Sequence, residues 1–536
     1  MRRLILFTLV LVAATVFVTV KYFKSLNTSG VHAANVMRTI PDSAAAVFEF
    51  TNDKGFYDIF NDNSLLGSLA GDQNIADLDT VRKALLSHPV LQSVFDASNV
   101  YISLHPTTDN EPDLLLTAAL NKDADPTAFD AAARQKIPGL LITPLTLADK
   151  KGYTIYFTSL KKRFYLINTE ANIYSSSFSK ALVEKAARYR PDKDRHAFLL
   201  LPDQQNSNSL ANLYINYAHL SPLFGQLFRD QNTDLFKSFR LLPALAALNL
   251  NYRTDALMFN GYTNIEQGKP ASYLNLFSRQ APIETHLKEI YPATVAYSMD
   301  MAVANPTTFL RDLTDFHDRA GLKKERDTLF KRIKTETGIN LREEFNKLVG
   351  NEFAVVTTRY REKFALITIK DGSDLRPFMT NVSTMVNDDV GELNYNKLPY
   401  FLLGDAFNVF KRPYFRIVDN YLIFANSLKE INSYYDSYIN TKFLTKTADY
   451  NRFDDLLAEK SNVAFFINFK NAQLILKNDL KPNTYKAYSS NKLSLKNFYA
   501  ASYQFTAADN NFFTNFCIQK NPADSAASPK ALKNSQ

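Results

Sequence analysis

The chain has one cysteine, Cys517, and no tryptophan among its 536 residues. A single thiol excludes an intramolecular disulfide and every sulfur-rich zinc site. Cys517 stands in the last predicted strand, 512–518, with no histidine beside it, so it reads as a small buried thiol rather than a nucleophile. Glycine is scarce, at 15 residues. No Walker loop, dinucleotide fingerprint or Gly-x-Ser-x-Gly elbow is present, which sets aside the common phosphate-cradling and α/β-hydrolase signatures. The seven histidines, His32, His88, His105, His196, His219, His286 and His317, form no His-x-x-x-His or His-x-His pair. A metalloprotease helix is therefore absent. The net charge is +8, yet half of that excess comes from Arg2, Arg3, Lys21 and Lys24, and there is no block of five or six basic residues. Nucleic acid is not expected as a partner. On these absences no catalytic, cofactor-binding or metal-ligating residue is assigned, and no cofactor is expected.

What is there begins at the N-terminus. Arg2-Arg3 precedes an uncharged run over residues 4–20 that ends at Lys21. The run is at the short end for a membrane-spanning helix and too long for an ordinary signal-peptide core. Val31-His32-Ala33 followed by Ala34 offers a cleavage-like site, but it lies far beyond the apolar run. An uncleaved single-pass anchor is the favoured expectation, with a signal peptide as the alternative. Arg2 and Arg3 at the short end lead to the expectation that the bulk of the chain is exported from the cytoplasm.

Much of the remainder is said twice, at a shift of about 250 residues. Lys162-Arg163-Phe164-Tyr165 answers to Lys411-Arg412-Pro413-Tyr414, and Ser177 to Ser427. Strand signals at 45–50, 99–104 and 113–118 correspond to those at 295–299, 352–357 and 364–369. Three short strands at 153–157, 163–167 and 172–176 correspond to 400–403, 414–417 and 421–425. Closing hairpins fall at 248–253 with 257–263, and at 499–505 with 512–518. Short spacings of this kind indicate antiparallel meanders. Asn305-Pro306 and the Ser427–Glu430 capping box mark helix starts. The expected fold is α+β, with two tandem, diverged copies of a mostly antiparallel sheet module with packed helices, behind an N-terminal transmembrane helix. The expected segments are the anchor 1–24, a stalk 25–38, module 1 over 39–265, a linker 266–289, module 2 over 290–520 and a disordered tail 521–536.

Several residues invite a chemical reading and also have a plainer one. Glu49 and Asp300 occupy equivalent points on the opening strands. Paired carboxylates could do acid–base work if the modules faced each other, but strand alternation assigns both to solvent. Asp123-Ala124-Asp125 and Asp371-Gly372-Ser373-Asp374 could open a calcium loop, but the remaining ligands are missing. Asp125 and Asp374 are expected to cap helices. Ser159-x-x-Lys162 and Ser177-x-x-Lys180, with Ser489-Ser490-Asn491, resemble pieces of an acyl-serine enzyme. No Lys-Thr-Gly strand follows residue 491, so that signature is incomplete. The cluster Tyr434-Tyr435-Asp436-Ser437-Tyr438 could line a groove, with core packing as the simpler role.

The openings Ile40-Pro41-Asp42-Ser43-Ala44 and Tyr291-Pro292-Ala293-Thr294-Val295, repeated behind an anchor, resemble a bacterial family of envelope proteins of unknown function. The resemblance implies an anchored, duplicated α+β protein outside the cytoplasm and carries no catalytic residue with it. The resulting expectation is a non-enzymatic binding or scaffold protein, held to the membrane by residues 4–20, with a protein or envelope partner. Alternatives are a hydrolase of envelope polymers using unmotifed carboxylates and a carrier of a lipid or other apolar ligand.

Overall fold

The computed structural model describes residues 35–521, apart from 54–55, 58–64, 66–71, 87–97, 107–111, 121–127, 136, 171, 191–208, 230–240, 267, 270 and 490–494. Twenty strands belong to one antiparallel sheet, and two short strands form a second. This overturns the expected fold of two tandem α+β modules. A hairpin strand with an open edge seeks a further ladder. The strand at 256–265 finds one along nearly its whole length, from Ala256 opposite Gln519 to Thr263 opposite Phe512. Helices pack on the strands within each unit. The membrane helix expected over residues 4–20 lies outside the described residues. Among the described residues, no helix is long and apolar enough to cross a membrane.

The chain divides into two compact units. Unit 1 comprises Met1–Asn61, Ala76–Asn216 and Leu245–Leu250. Its strands are β1 (Ala46–Thr51), β2 (Asn99–His105), β3 (Asp113–Ala119), β4 (Leu140–Leu147), β5 (Lys150–Phe157), β6 (Lys162–Glu170), β7 (Ile173–Ser177), β8 (Ala211–Asn216) and most of β9 (Ala244–Tyr252). Antiparallel ladders give the order β4-β5-β6-β7-β3-β2-β1-β8-β9, with β1 inside. β1 reads Ala-Val-Phe-Glu-Phe-Thr, the apolar alternation of a strand with a packed face. Val47 of that strand joins Ile40, Tyr101, Tyr214 and Leu245 in a buried cluster. A second cluster forms where helix Lys180–Arg188 lays Leu182, Val183, Ala186 and Ala187 on Leu115 and Ile167. Ser179 caps that helix by accepting from the Leu182 amide.

Unit 2 comprises Asp62–Ile75, Tyr217–Ala244 and Asn251–Gln536. It holds β10 (Ala256–Ile265), β11 (Ile283–Glu284), β12 (Val295–Ala302), β13 (Val349–Thr358), β14 (Lys363–Ile369), β15 (Ser383–Met385), β16 (Val390–Leu393), β17 (Tyr414–Val418), β18 (Tyr421–Ala425), β19 (Lys460–Ser461), β20 (Val463–Asn468), β21 (Phe498–Ala508) and β22 (Asn511–Lys520). The order here is β15-β16-β17-β18-β14-β13-β12-β20-β21-β22-β10. Its first nine places follow the connectivity seen in unit 1. Both faces of the central strands are covered. Tyr291, Val356, Phe364, Ile423, Ile431 and Tyr434 pack on one side with helices Leu428–Ile439 and Ala448–Asp454. On the other side Phe309, from helix Pro306–Arg319, meets Phe277 and Phe353 at ring separations of 5.1 and 5.2 Å. Asn305 caps this helix through the Thr308 amide, and Pro306 opens it, as the sequence indicates.

Two local expectations fail. Residues 400–403 are not a strand but part of helix Leu398–Leu403, with Pro399 in its first turn. A short apolar run buried on all sides does not reveal its own period. Asp374 is not the cap of helix Gly372–Asn381. Asp371 is, accepting from the amides of Ser373 and Asp374. The other expected cap, Asp125, lies outside the described residues.

Candidate functional site

Glu49 and Asp300 are the two acidic residues on the strands at the centre of each unit, and neither points to solvent. Each is held within its own unit. In β1, Glu49 is 4% exposed. It lies opposite Tyr101 of β2 and Asn212 of β8. Oε1 accepts from the Tyr101 hydroxyl at 2.7 Å and Asn99 Nδ2 at 2.8 Å. Oε2 accepts from the Tyr214 hydroxyl at 2.6 Å and Asn212 Nδ2 at 3.2 Å. Four donors from two neighbouring strands thus replace the water that burial removes. Burial, reinforced by the Glu49 charge, pushes the Tyr101 and Tyr214 hydroxyls well above their ordinary pKa. The arrangement is a saturated structural knot that offers a substrate no open lone pair with a donor still to find.

Asp300 of β12 is half-buried and less generously held. It accepts from the Tyr291 hydroxyl and, at 3.1 Å, from Ser298 Oγ. Desolvation raises its pKa from the ordinary carboxyl value to about 6; the two hydroxyl donors and Lys288 pull the other way, and Glu352 adds to the rise. Asp300 lines a cavity of about 40 Å³ together with Glu352, Asp454, Lys288, Tyr291 and Tyr450. This is room for about one water, whose share of liquid volume is roughly 30 Å³. The neighbouring carboxylates are already engaged. Glu352 accepts the amides of His286 at 2.7 Å and Leu287 at 2.8 Å, which ties down the turn Leu287–Ile290. Asp454 accepts twice from Lys288 Nζ, at 2.8 and 2.6 Å. Among the described residues no group of acidic, histidine or cysteine side chains could hold a metal ion.

A roomier cavity, about 260 Å³, lies elsewhere in unit 2. Tyr297 and Met299 of β12, with Val355 and Thr357 of β13, line it from facing register positions. Tyr273, Lys363, Asp405 and Lys411 are also on its wall. Tyr273 is fixed there by its hydroxyl, which donates to the Leu403 carbonyl at 2.6 Å. Gly404, with φ of +99°, makes space for that ring, since a Cβ at position 404 would collide with it. The mixed lining suits a small ligand with an apolar body and a polar end, although the volume is slightly below the usual range of roughly 300–1,000 Å³.

The other residues singled out in the sequence have structural positions. Ser177 donates to the Leu114 carbonyl at 2.6 Å and receives the Ser179 amide, so it is bound into β7. Lys162 pairs with Asp77 at 2.6 Å. Residues 490 and 491 lie outside the described residues. Tyr434 is core, its hydroxyl on the Ile290 carbonyl at 3.2 Å, while Tyr435 lies under the Arg416 guanidinium. Ser427 caps its helix through the Glu430 amide. Cys517 is 3% exposed, and burial raises its thiol pKa to about 12, which suppresses the thiolate. His317 is fully buried against Tyr400 and Phe401. Sequence reading found neither cavity, because their walls come from strands and turns separated by more than a hundred positions.

No family model matches the chain, and no curated protein or solved structure matches it either.

Proposed function

We propose that the chain is a membrane-anchored binding protein acting outside the cytoplasm of a bacterial envelope, with the 260 Å³ cavity of unit 2 as its ligand site. The cavity is the observation that carries the reading. Its floor of Tyr297, Met299 and Val355 offers apolar contact, and its wall places Lys363, Asp405 and Lys411 around the same space. A ligand with an apolar body and a charged or hydrogen-bonding end gains from both. The competing view, a polymer hydrolase at Asp300, has a cavity of only about 40 Å³ to work in. A sugar ring does not fit there. The membrane attachment rests on the uncharged run 4–20, and the envelope setting on the resemblance of residues 40–44 and 291–295.

The test is crosslinking of the full-length protein in its native membrane, followed by recovery and identification of proteins, lipids and small molecules. Val355→Trp, which fills the cavity, is the comparison. A species captured by the wild type and lost from a folded Val355→Trp supports the reading. An identical capture profile for both sinks it.

A further inference from the structure

Unit 1 contains a hydrogen-bonded chain of side chains that runs from its surface into its core. Ser43 Oγ lies 2.8 Å from Lys185 Nζ and 3.0 Å from His105 Nδ1. His105 Nε2 lies 2.8 Å from Ser103 Oγ, which donates to the Leu115 carbonyl at 3.2 Å. One tautomer of His105 satisfies every link. With the Ser103 proton on the Leu115 carbonyl, Ser103 accepts from His105 Nε2–H. An ammonium can only donate, so Ser43 receives from Lys185 and has its own proton free for the unprotonated His105 Nδ1. In that tautomer the Nδ1 lone pair of the imidazole faces the Ser43 hydroxyl.

Burial divides the roles. His105 is 1% exposed and Ser103 fully buried, whereas Ser43 is half-buried beside the exposed Lys185. The nucleophile is at the surface and its base is underneath. Backbone geometry keeps them together: Ser103 and His105 point to one face of β2, two residues apart, and the Ala45 amide bonds the Leu104 carbonyl, which anchors the segment carrying Ser43 to that strand. Nucleophile, base and a third group that orients the base are what an activated serine requires.

We propose that Ser43 is an activated nucleophile for carboxylic esters, with His105 as its general base and Ser103 as the positioning residue. In the first step Ser43 Oγ forms a bond to the ester carbonyl carbon and its proton passes to His105 Nδ1. The Lys185 ammonium stands beside the developing oxyanion. The carbon–alkoxide bond then breaks, and His105 returns the proton to the leaving alcohol. Water, activated by the same nitrogen, cleaves the acyl-Ser43 ester and releases the carboxylic acid. The site stands on unit 1 alone, is independent of the cavity in unit 2, and departs from a purely non-catalytic reading of the chain.

The experiment is labelling of the full-length protein with a fluorophosphonate probe, in which a Ser43 Oγ–P bond forms as the P–F bond breaks and fluoride leaves. Ordinary serines do not react. The expected result is a phosphonyl adduct mapped to Ser43 by peptide mass spectrometry, absent in Ser43→Ala and slowed about 100-fold in His105→Gln, the scale of general-base assistance. Lys185→Met alters only a surface side chain and is expected to slow labelling about tenfold or more. Ser103→Ala is expected to slow labelling and Ser103→Thr, which keeps the hydroxyl, to restore it. Thermal melting confirms that each variant is folded. Hydrolysis of p-nitrophenyl acetate then reports turnover. No adduct at Ser43 in the folded wild type overturns the proposal, as does an unchanged labelling rate in folded His105→Gln or in Lys185→Met.

Discussion

Replacing Asp300 by asparagine should stabilise unit 2 at neutral pH, and the gain should vanish in acid. In the folded chain the Asp300 carboxyl titrates at about 6, against an ordinary value of 3.8. The folded state therefore holds this proton more tightly than the unfolded state does. Below pH 3.8 both states are protonated and the group has no effect. As pH rises through 6 the folded protein must carry a partly desolvated carboxylate, and stability falls. Two pK units correspond to about 3 kcal/mol. Water in the adjoining cavity reduces that figure to the extent that it solvates the charge. Asparagine cannot ionise, and its Oδ1 still accepts from the Tyr291 hydroxyl or from Ser298. The variant should match the wild type near pH 4 and gain progressively between pH 4 and 6. At pH 8 its advantage should be as much as about 3 kcal/mol, or about 6 °C in the unit 2 melting midpoint at roughly 2 °C per kcal/mol for a domain of this size. The assay is thermal unfolding of both proteins, followed by circular dichroism, across pH 4 to 8. A constant difference at every pH, or a variant that loses ground as pH rises, would refute the reasoning.

Glu49→Ala should be severely destabilising, by about 3–5 kcal/mol, because it leaves Tyr101, Tyr214, Asn99 and Asn212 facing each other with their acceptor gone; urea unfolding of unit 1 measures it, and Glu49→Gln should recover part of the loss. His317→Leu should stabilise unit 2 by about 1–3 kcal/mol, since neither ring nitrogen has a hydrogen-bond partner among the described residues. Burial lowers the His317 pKa from 6.5 to about 4, so the wild type should lose stability as pH falls through that window and the leucine variant should not. Melting curves at pH 4.5 and 7.5 separate these outcomes. Asn305→Ala removes the acceptor for the Thr308 amide and should cost about 1 kcal/mol in the same assay.

The positions of most strands were legible in the sequence, because runs such as 352–357 and 364–369 combine β-branched or aromatic residues with sharp polar boundaries. How the strands join was not. Nothing in residues 256–265 announces pairing with 511–520, since backbone ladders carry no side-chain code. Glu49 and Asp300 were misread for a related reason. Alternation says that a residue lies on the other face from its neighbours, but not that the other face is open, and in both units that face is packed. The segment 400–403 was misread because burial on every side hides the period of a short run. As for candidate sites, Ser43, Ser103, His105 and Lys185 are dispersed over 142 positions from first to last. No spacing motif could join them before β2, β3 and helix Lys180–Arg188 were brought together.

The knot at Glu49 bears on how the protein is made. Its donors arrive in two instalments, Tyr101 at 52 residues downstream and Tyr214 at 165. A growing chain can zip β1 to β2 early, yet half of the carboxylate's partners do not exist until β8 emerges. Until then the apolar edge of β1 is open to any other strand that passes, and contacts this distant in sequence form slowly. The same delay recurs at the far end, where Thr263 waits 251 residues for Thr514. A chain so arranged asks its cell to shield unfinished edges for nearly the whole of synthesis, and a truncation ahead of residue 511 would leave β10 without its partner strand β22 for good.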